Sequence, residues 1–149
     1  IHQFHIDYLL GLPIAILTDG DAAKIGDAPS ATATGLKAKE AEIPNLRVEY
    51  AEITFEHELA RSAGVLPLML EAFDILHPLN GKCLKATINE LNSDDKRADA
   101  FLAALIQTHT SKGSFAQELA ALLEAAVLPA DAVPNYIQGA LRFLGVIKA

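Results

Sequence analysis

The stretch Ile14-Ala15-Ile16-Leu17-Thr18-Asp19-Gly20-Asp21 decides the fold, because it joins an unbroken apolar run directly to a pair of acids. Four apolar residues without alternation predict a strand that is buried on both faces, as in a parallel sheet. Ligands collect beyond the carboxyl ends of such strands. On an extended chain Asp19 and Asp21 would point the same way and reach one hard cation, with Gly20 allowing close approach and an unusual backbone angle. The alternative is a solvated Asp-Gly turn.

A second strand is predicted over 46–50, where apolar and polar residues alternate. Between the strands we expect a loop over 21–35 with room for one weak helical turn, then a short helix over 36–42, which together make a βαβ unit with parallel strands. Two strands do not form a stable sheet alone, so we expect further strands upstream of Ile1 and interpret the chain as a fragment. Residues 1–12 are expected to form the end of a helix.

The remainder of the chain is predicted to be helical. The sequence holds 26 Ala and 22 Leu but only 5 Val, which favours helix over extensive sheet. Thr54 and Ser93 are predicted helix caps, Ser114 a helix start, and Pro134 opens the last helix. We divide the chain into a βαβ portion over 1–65, a helical lobe over 66–108 and carboxyl-terminal helices over 109–149.

Composition argues against two classes of protein, a general nucleic-acid coat and a membrane protein. The 12 Lys and Arg against 19 Asp and Glu give a net charge of −7, and the pI near 5.1 argues against a general nucleic-acid coat. The longest apolar run is about half of what a membrane span needs, so no membrane association is expected. The single cysteine, Cys83, permits no internal disulfide and points to a reducing, cytoplasmic compartment. We expect its thiol to be buried on an apolar helix face.

Two further positions are candidates for chemistry. Glu56 falls in the first turn of the helix predicted after Thr54, either as a third metal ligand or only as an acid that stabilises the helix dipole. Lys112 precedes a predicted helix, where it would add a cation to amide groups that favour phosphate, or would be a solvated surface lysine. His57 begins a pattern like the zinc-protease H-E-x-x-H, but Arg61 replaces the second histidine.

Taken together, four segments resemble the Toprim (topoisomerase–primase) domain of the OLD family, the overcoming-lysogenization-defect endonucleases. The D-x-D is shared by Toprim proteins, whereas T-F-E-x-x-L-A and K-G-x-F-A-x-x-L-A look particular to this family. In chain order the segments are Tyr8-Leu9-Leu10-Gly11-Leu12-Pro13 with Ile16-Leu17-Thr18-Asp19-Gly20-Asp21, then Ile53-Thr54-Phe55-Glu56-His57-Glu58-Leu59-Ala60, then Ser111-Lys112-Gly113-Ser114-Phe115-Ala116-Gln117-Glu118-Leu119-Ala120, and finally Val133-Pro134-Asn135-Tyr136-Ile137.

The resemblance implies a Toprim-like (Rossmann-like) α/β fold with an added helical lobe, and a DNA endonuclease that uses two Mg²⁺ or Mn²⁺ ions. By the same resemblance Asp19 and Asp21 are the D-x-D metal ligands, Glu56 is the third acid, and Lys112 is the catalytic lysine near the scissile phosphate. The family's glutamate after its first strand has no match before Leu12, so we expect it upstream. By the same resemblance, ATP would bind only to an amino-terminal ABC-type ATPase domain absent from this chain. That domain, or formation of a homodimer, would supply much of the DNA binding.

Other interpretations stay open. A Toprim primase or maturation ribonuclease shares the D-x-D but not the K-G-x-F-A block. A noncatalytic helical interaction module would have solvated acids and helices that dock a partner. A receiver-type phosphoacceptor domain also places an aspartate at a strand end, but the long helical stretch after Thr54 fits that class poorly.

Overall fold

The structure, a computed structural model, describes residues 11–129 and 132–148. In this part of the chain it is a mixed α/β protein with one two-stranded parallel sheet and seven α-helices. The helix predicted over 1–12 falls almost entirely outside the described residues. The elements, in chain order, are β1 (Ile14–Asp19), α1 (Ala31–Ala38), a 3₁₀ turn (Lys39–Ala41), β2 (Leu46–Ala51), α2 (Phe55–Arg61), α3 (Leu66–Leu76), α4 (Pro78–Glu90), α5 (Asp94–Gln107), α6 (Lys112–Ala125) and α7 (Asn135–Phe143).

The described residues form two compact units. One contains the described residues up to Phe55 together with those from Asn135 onward, and the other contains the described residues between Glu56 and Pro134. The sequence-based division at 65 and 108 places its boundaries elsewhere, because α7 belongs with the sheet rather than with α6. Within the described residues, no helix is both long and apolar enough to cross a membrane.

The first unit contains the predicted βαβ unit. β1 and β2 pair in parallel with Ile14 opposite Leu46 and Asp19 opposite Ala51, which confirms the prediction of two parallel strands. The helix between them begins earlier than expected, since the side chain of Ser30 accepts the Ala33 N–H and starts α1 at Ala31. The predicted loop over 21–35 is therefore wrong in its last part. Serine at the cap satisfies an otherwise unpaired amide, and this outweighs the low helix propensity of the following threonines.

The two faces of the sheet are covered differently. One face carries an apolar cluster in which the strand residues pack with Leu36 of α1 and with Ile43. The opposite face packs against α7, where Gly139 lies beside the Glu49 side chain. Leu17 on that face remains 48% exposed, so the prediction of a strand buried on both faces is wrong at this residue. The apolar cluster comprises Ile14, Ile16, Leu46, Val48, Leu36 and Ile43.

Side chains close the outer edge of β2 at Val48. Its N–H donates to the Glu40 carboxylate, and its carbonyl accepts from Lys37 Nζ at 2.7 Å. Partial burial works to raise the pKa of Glu40, but the hydrogen bond from Val48 and the Lys37 ammonium outweigh it and hold the pKa below its usual value. An edge whose backbone groups are taken by charged side chains is protected from pairing with another strand at this point.

The second unit is built around buried aromatic and aliphatic side chains. Phe73 of α3 and Phe101 of α5 are both fully buried, with ring centroids 6.0 Å apart, and Phe115 of α6 lies 5.7 Å from Phe101. Aromatic pairs at such distances add to the energy of burial. Apolar residues of α3, α4, α5 and α6 supply most of this core, and they include Leu66, Met69, Leu70, Phe73, Leu84, Ile88, Ala98, Phe101, Phe115 and Leu119.

Details of the helical prediction are confirmed in part. Ser93 caps α5 as predicted, because its side chain accepts the Lys96 N–H. The start of α6 is wrong by two residues: Ser111 is the cap, and Lys112 is the first helical residue. Cys83 is exposed rather than buried as expected. Ile106, an apolar residue of α5, is 65% exposed.

Backbone hydrogen bonds join the loops that follow β1 and β2. Asp21 N–H donates to Ile53 O at 2.9 Å, Ala22 N–H donates to Glu52 O at 3.1 Å, and Ser30 N–H donates to Gly20 O at 2.6 Å. At Gly20 the backbones approach so closely that a Cβ would collide with the carbonyl oxygens of Ala51 and Glu52. Gly20 therefore allows two backbone segments to approach closely, and its predicted role beside a bound cation stays a prediction.

We expect Gly20→Ala to destabilise the protein by about 1–3 kcal/mol, because the added methyl must displace backbone carbonyls. The matched control is Gly35→Ala inside α1, where a Cβ meets no atom within 4 Å. This control should gain about 0.4–1 kcal/mol from the reduced entropy of the unfolded chain. Urea unfolding followed by circular dichroism measures both, and a Gly20→Ala midpoint at or above that of the wild type would contradict the close approach.

Candidate functional site

Asp19 is the last residue of β1 and ends at the carboxyl edge of the parallel pair. Its side chain is partly buried, and its Oδ1 accepts the N–H of Phe55, the first residue of α2, at 2.8 Å. The first amides of a helix have no partner within the helix, so the carboxylate satisfies one of them. Its second oxygen, Oδ2, has no hydrogen-bond partner among the described residues. Asp19 therefore has a structural role and still presents one oxygen for a ligand.

Asp21 has a different backbone conformation from the one predicted. Its φ is +53°, in the left-handed region, so the extended chain does not continue through the D-G-D segment. The argument that two acids on an extended chain point the same way is therefore wrong here. The unusual backbone angle also falls on Asp21 and not on Gly20. Aspartate tolerates this conformation better than most residues, and the Asp21 side chain is exposed to solvent.

Glu56 and Lys112 are brought together in the helical unit. Glu56 lies in the first turn of α2, as predicted, and Lys112 is the first residue of α6. Lys112 Nζ lies 3.1 Å from Glu56 Oε1 and 3.4 Å from Glu56 Oε2. The carboxylate is only 12% exposed and the lysine side chain 73% exposed, so a mostly buried acid holds an accessible cation.

The position of Lys112 conflicts with helix electrostatics. The amino-terminal end of a helix carries partial positive charge, which favours acids and disfavours lysine. The helix does not need Lys112 to begin, because the Ser111 side chain accepts the Ser114 N–H. A residue that breaks a local rule marks a candidate functional position. The same amides and the ammonium group both favour a bound anion.

The donor chemistry of the acids fits a hard divalent cation, but the structure does not show a complete ligand set. Carboxylate oxygens are the ligands that Mg²⁺ prefers, and Asp19 and Asp21 offer them beyond one strand. Over residues 11–129 and 132–148, however, no three His, Cys, Asp or Glu side chains are grouped so that they could hold a metal ion. Asp19 and Asp21 lie in one compact unit and Glu56 with Lys112 in the other. The three-acid metal site stays a prediction.

A cavity of about 390 Å³ lies beside the Glu56–Lys112 pair within the helical unit. Its lining is mostly apolar, with Ile106, His109 and Thr110 near the end of α5 and in the loop before α6. The sequence analysis missed these residues as functional candidates. The signal available was the polar run Gln107-Thr108-His109-Thr110-Ser111-Lys112 between two strongly apolar helices.

His57 of the incomplete zinc pattern has a structural position. Its side chain is fully buried, and its Nε2 lies 3.1 Å from Asp99 Oδ1 on α5. This contact joins α2 to α5 inside the helical unit. It accounts for a histidine at this position without a metal.

Comparisons of the chain with protein-family models, with curated proteins and with solved structures gave no match. The candidate site therefore depends on the residues and their geometry alone.

We expect Lys112→Ala to change the free energy of unfolding by no more than about 0.5 kcal/mol, because the lysine side chain is largely exposed and the helix dipole opposes it, which together limit the cost of leaving the mostly buried Glu56 carboxylate without its cation. Ser111→Ala, one residue away, should cost about 1 kcal/mol because it removes the cap of α6. Thermal and urea unfolding of the two variants make the comparison. A large loss in Lys112→Ala would show that the lysine is kept for stability.

Proposed function

We propose that this chain forms part of the catalytic region of a metal-dependent DNA endonuclease of the OLD Toprim type. The observation that carries the proposal is the contact of Lys112 with Glu56. The two residues were singled out by separate motifs 56 positions apart, and their side chains meet at 3.1 Å. The parallel β1–β2 pair, with Asp19 at its carboxyl edge, supports the same proposal.

Lys112 has the properties of a group that binds a phosphate. An ammonium group has three N–H donors, and Glu56 occupies one side of it, so the exposed side remains open to a phosphate oxygen. Negative charge grows on those oxygens as a phosphodiester is cleaved, and a cation already fixed in place stabilises that charge without reorganisation. Glu56 acts here as a positioning residue, because it holds the flexible lysine side chain over the end of α6.

Asp19 and Asp21 are the residues that would hold divalent cations in this proposal, with Glu56 as the third acid. Bound Mg²⁺ or Mn²⁺ would supply an activated water and stabilise the leaving oxygen. Asp19 is fixed for such a task by the bond from the Phe55 N–H, which orients its carboxylate. Orientation of a ligand by a second partner is a common requirement of metal sites.

The acidic balance of the chain bears on its partners. With a net charge of −7, the chain would grip DNA weakly by itself. We therefore propose that an ABC-type ATPase domain of the same protein, or a second subunit, supplies much of the binding, and that ATP acts only there. The cytoplasm is the proposed compartment.

The test is nicking of supercoiled plasmid by the natural protein with Mg²⁺ or Mn²⁺, and with a chelator as the blank. Asp19→Asn and Lys112→Ala should each lower the rate by about a hundredfold or more, because each removes a group that stabilises charge in the transition state. The matched controls are Asp27→Asn and Lys82→Ala, which change an exposed acid and an exposed lysine elsewhere and should cut at the wild-type rate.

Equal cutting by Asp19→Asn and the wild type would contradict the assignment of Asp19 to the catalytic site. A protein that cuts nothing and binds no metal would favour the noncatalytic interaction module. Cutting of RNA alone would favour the maturation ribonuclease, which shares the D-x-D.

A further inference from the structure

The cavity beside Lys112 is one feature of the helical unit that the proposed chemistry leaves without a role. Its volume of about 390 Å³ falls in the range of sites that hold small organic ligands, roughly 300–1,000 Å³. The inner wall is formed by the half-buried Leu102 and Leu105 and by Phe115, which is only 3% exposed. Such a wall binds the apolar part of a ligand by excluding water from it.

The rim of the cavity carries polar groups and one exposed apolar side chain. Glu56 and Lys112 lie on one side, and His109 and Thr110 contribute from the loop before α6. Ile106 lines the cavity although it is 65% exposed. Exposure of a large aliphatic side chain to water is unfavourable in free energy. A ligand that covered Ile106 would remove this cost.

His109 and Thr110 differ in what they can offer to a ligand. Thr110 Oγ1 is already engaged, at 2.9 Å from His77 Nε2 and 2.6 Å from Thr108 Oγ1, so it is held rigidly. The imidazole of His109 has no hydrogen-bond partner in the part of the chain that the structure describes. The backbone of His109 has φ +49°, a conformation that L-residues adopt infrequently. The cavity thus combines an apolar wall, one cation and one solvent-exposed imidazole.

We propose that this cavity takes the base of a nucleotide whose phosphate lies on Lys112. A nucleotide has a flat apolar ring system with polar edges, joined to an anion, and these parts correspond to the wall, the His109 edge and the ammonium group. An aliphatic anion would use the wall and the cation but would offer no polar ring edge to His109. The proposal rests on the proposed function, since it treats the phosphate on Lys112 as that of the nucleic-acid substrate.

The proposal also names a substrate class. In a duplex each base is stacked and paired, so its faces are not available to a protein cavity. A cavity that takes one base therefore requires a single strand or a locally unpaired nucleotide at the site of cleavage. Stacking and burial of one base contribute a sequence-tolerant share of binding, so little preference among the bases is expected.

The experiment measures binding without metal and without cleavage. The full chain, labelled at isoleucine δ1 methyl groups, is titrated with deoxyadenosine 5′-monophosphate in the presence of a chelator. The Ile106 signal, assigned by its loss in Ile106→Val, should shift through the ring current of the base, with half-saturation at about 1 mM or below. The signal of Ile75, exposed on α3 and not part of the cavity lining, should stay in place.

Three further ligands and two variants complete the test. Deoxyribose 5-phosphate and inorganic phosphate, which lack a base, should leave the Ile106 signal unmoved, and octanoate should compete poorly. Lys112→Ala should weaken binding of the nucleotide about tenfold, as expected for loss of a charge-assisted hydrogen bond. Lys82→Ala should bind like the wild type.

The proposal is overturned if the nucleotide leaves Ile106 unmoved at about 10 mM, or if octanoate or deoxyribose 5-phosphate acts equally well. Since no metal is present, this result is separate from plasmid nicking. Nicking without a methyl shift would contradict only the proposal that the cavity binds a base. A methyl shift without nicking would contradict only the proposed nuclease activity.

Discussion

The close approach of the two post-strand loops is the constraint on which the sheet unit depends. Gly20 lies so near the carbonyls of Ala51 and Glu52 that no side chain fits between them, and the N–H groups of Asp21 and Ala22 donate across to the segment after β2. The carboxyl ends of parallel strands lie at the same edge of a sheet. Here backbone hydrogen bonds between the segments that follow the two strands hold that edge in place. As a result Asp19 lies against the Phe55 N–H, and α2 begins where Glu56 falls in its first turn.

Much of this architecture could be predicted because short-range chemistry dictates it. An unbroken apolar run before D-G-D, an alternating run at 46–50 and serine caps such as Ser93 each have one favoured local structure, and the structure follows them. The prediction failed where tertiary packing decides. Asp21 adopts the left-handed conformation where its N–H donates to Ile53 of a distant segment, and the exposure of Ile106 and Cys83 depends on which helices pack beside them. Neither is encoded in the spacing of residues.

The candidate site illustrates the same limit. Motifs identified Glu56 and Lys112 separately, and only the fold puts 3.1 Å between their charged atoms. The cavity next to them arises from α5, α6 and the loop between them, and its apolar residues look like ordinary core positions in the sequence. Asp19 of the D-x-D motif also has a structural role, because its carboxylate accepts a hydrogen bond from a helix amide.

The most direct test of the account is the location of Mn²⁺ in crystals of the protein, found by anomalous scattering. The account predicts a manganese ion about 2.1 Å from a carboxylate oxygen of Asp19, and loss of that ion in Asp19→Asn with the fold intact. Manganese bound only elsewhere, or none at Asp19 when the ion is in excess, would contradict it. The acidic segment after β1 would then be a solvated turn that serves the fold alone.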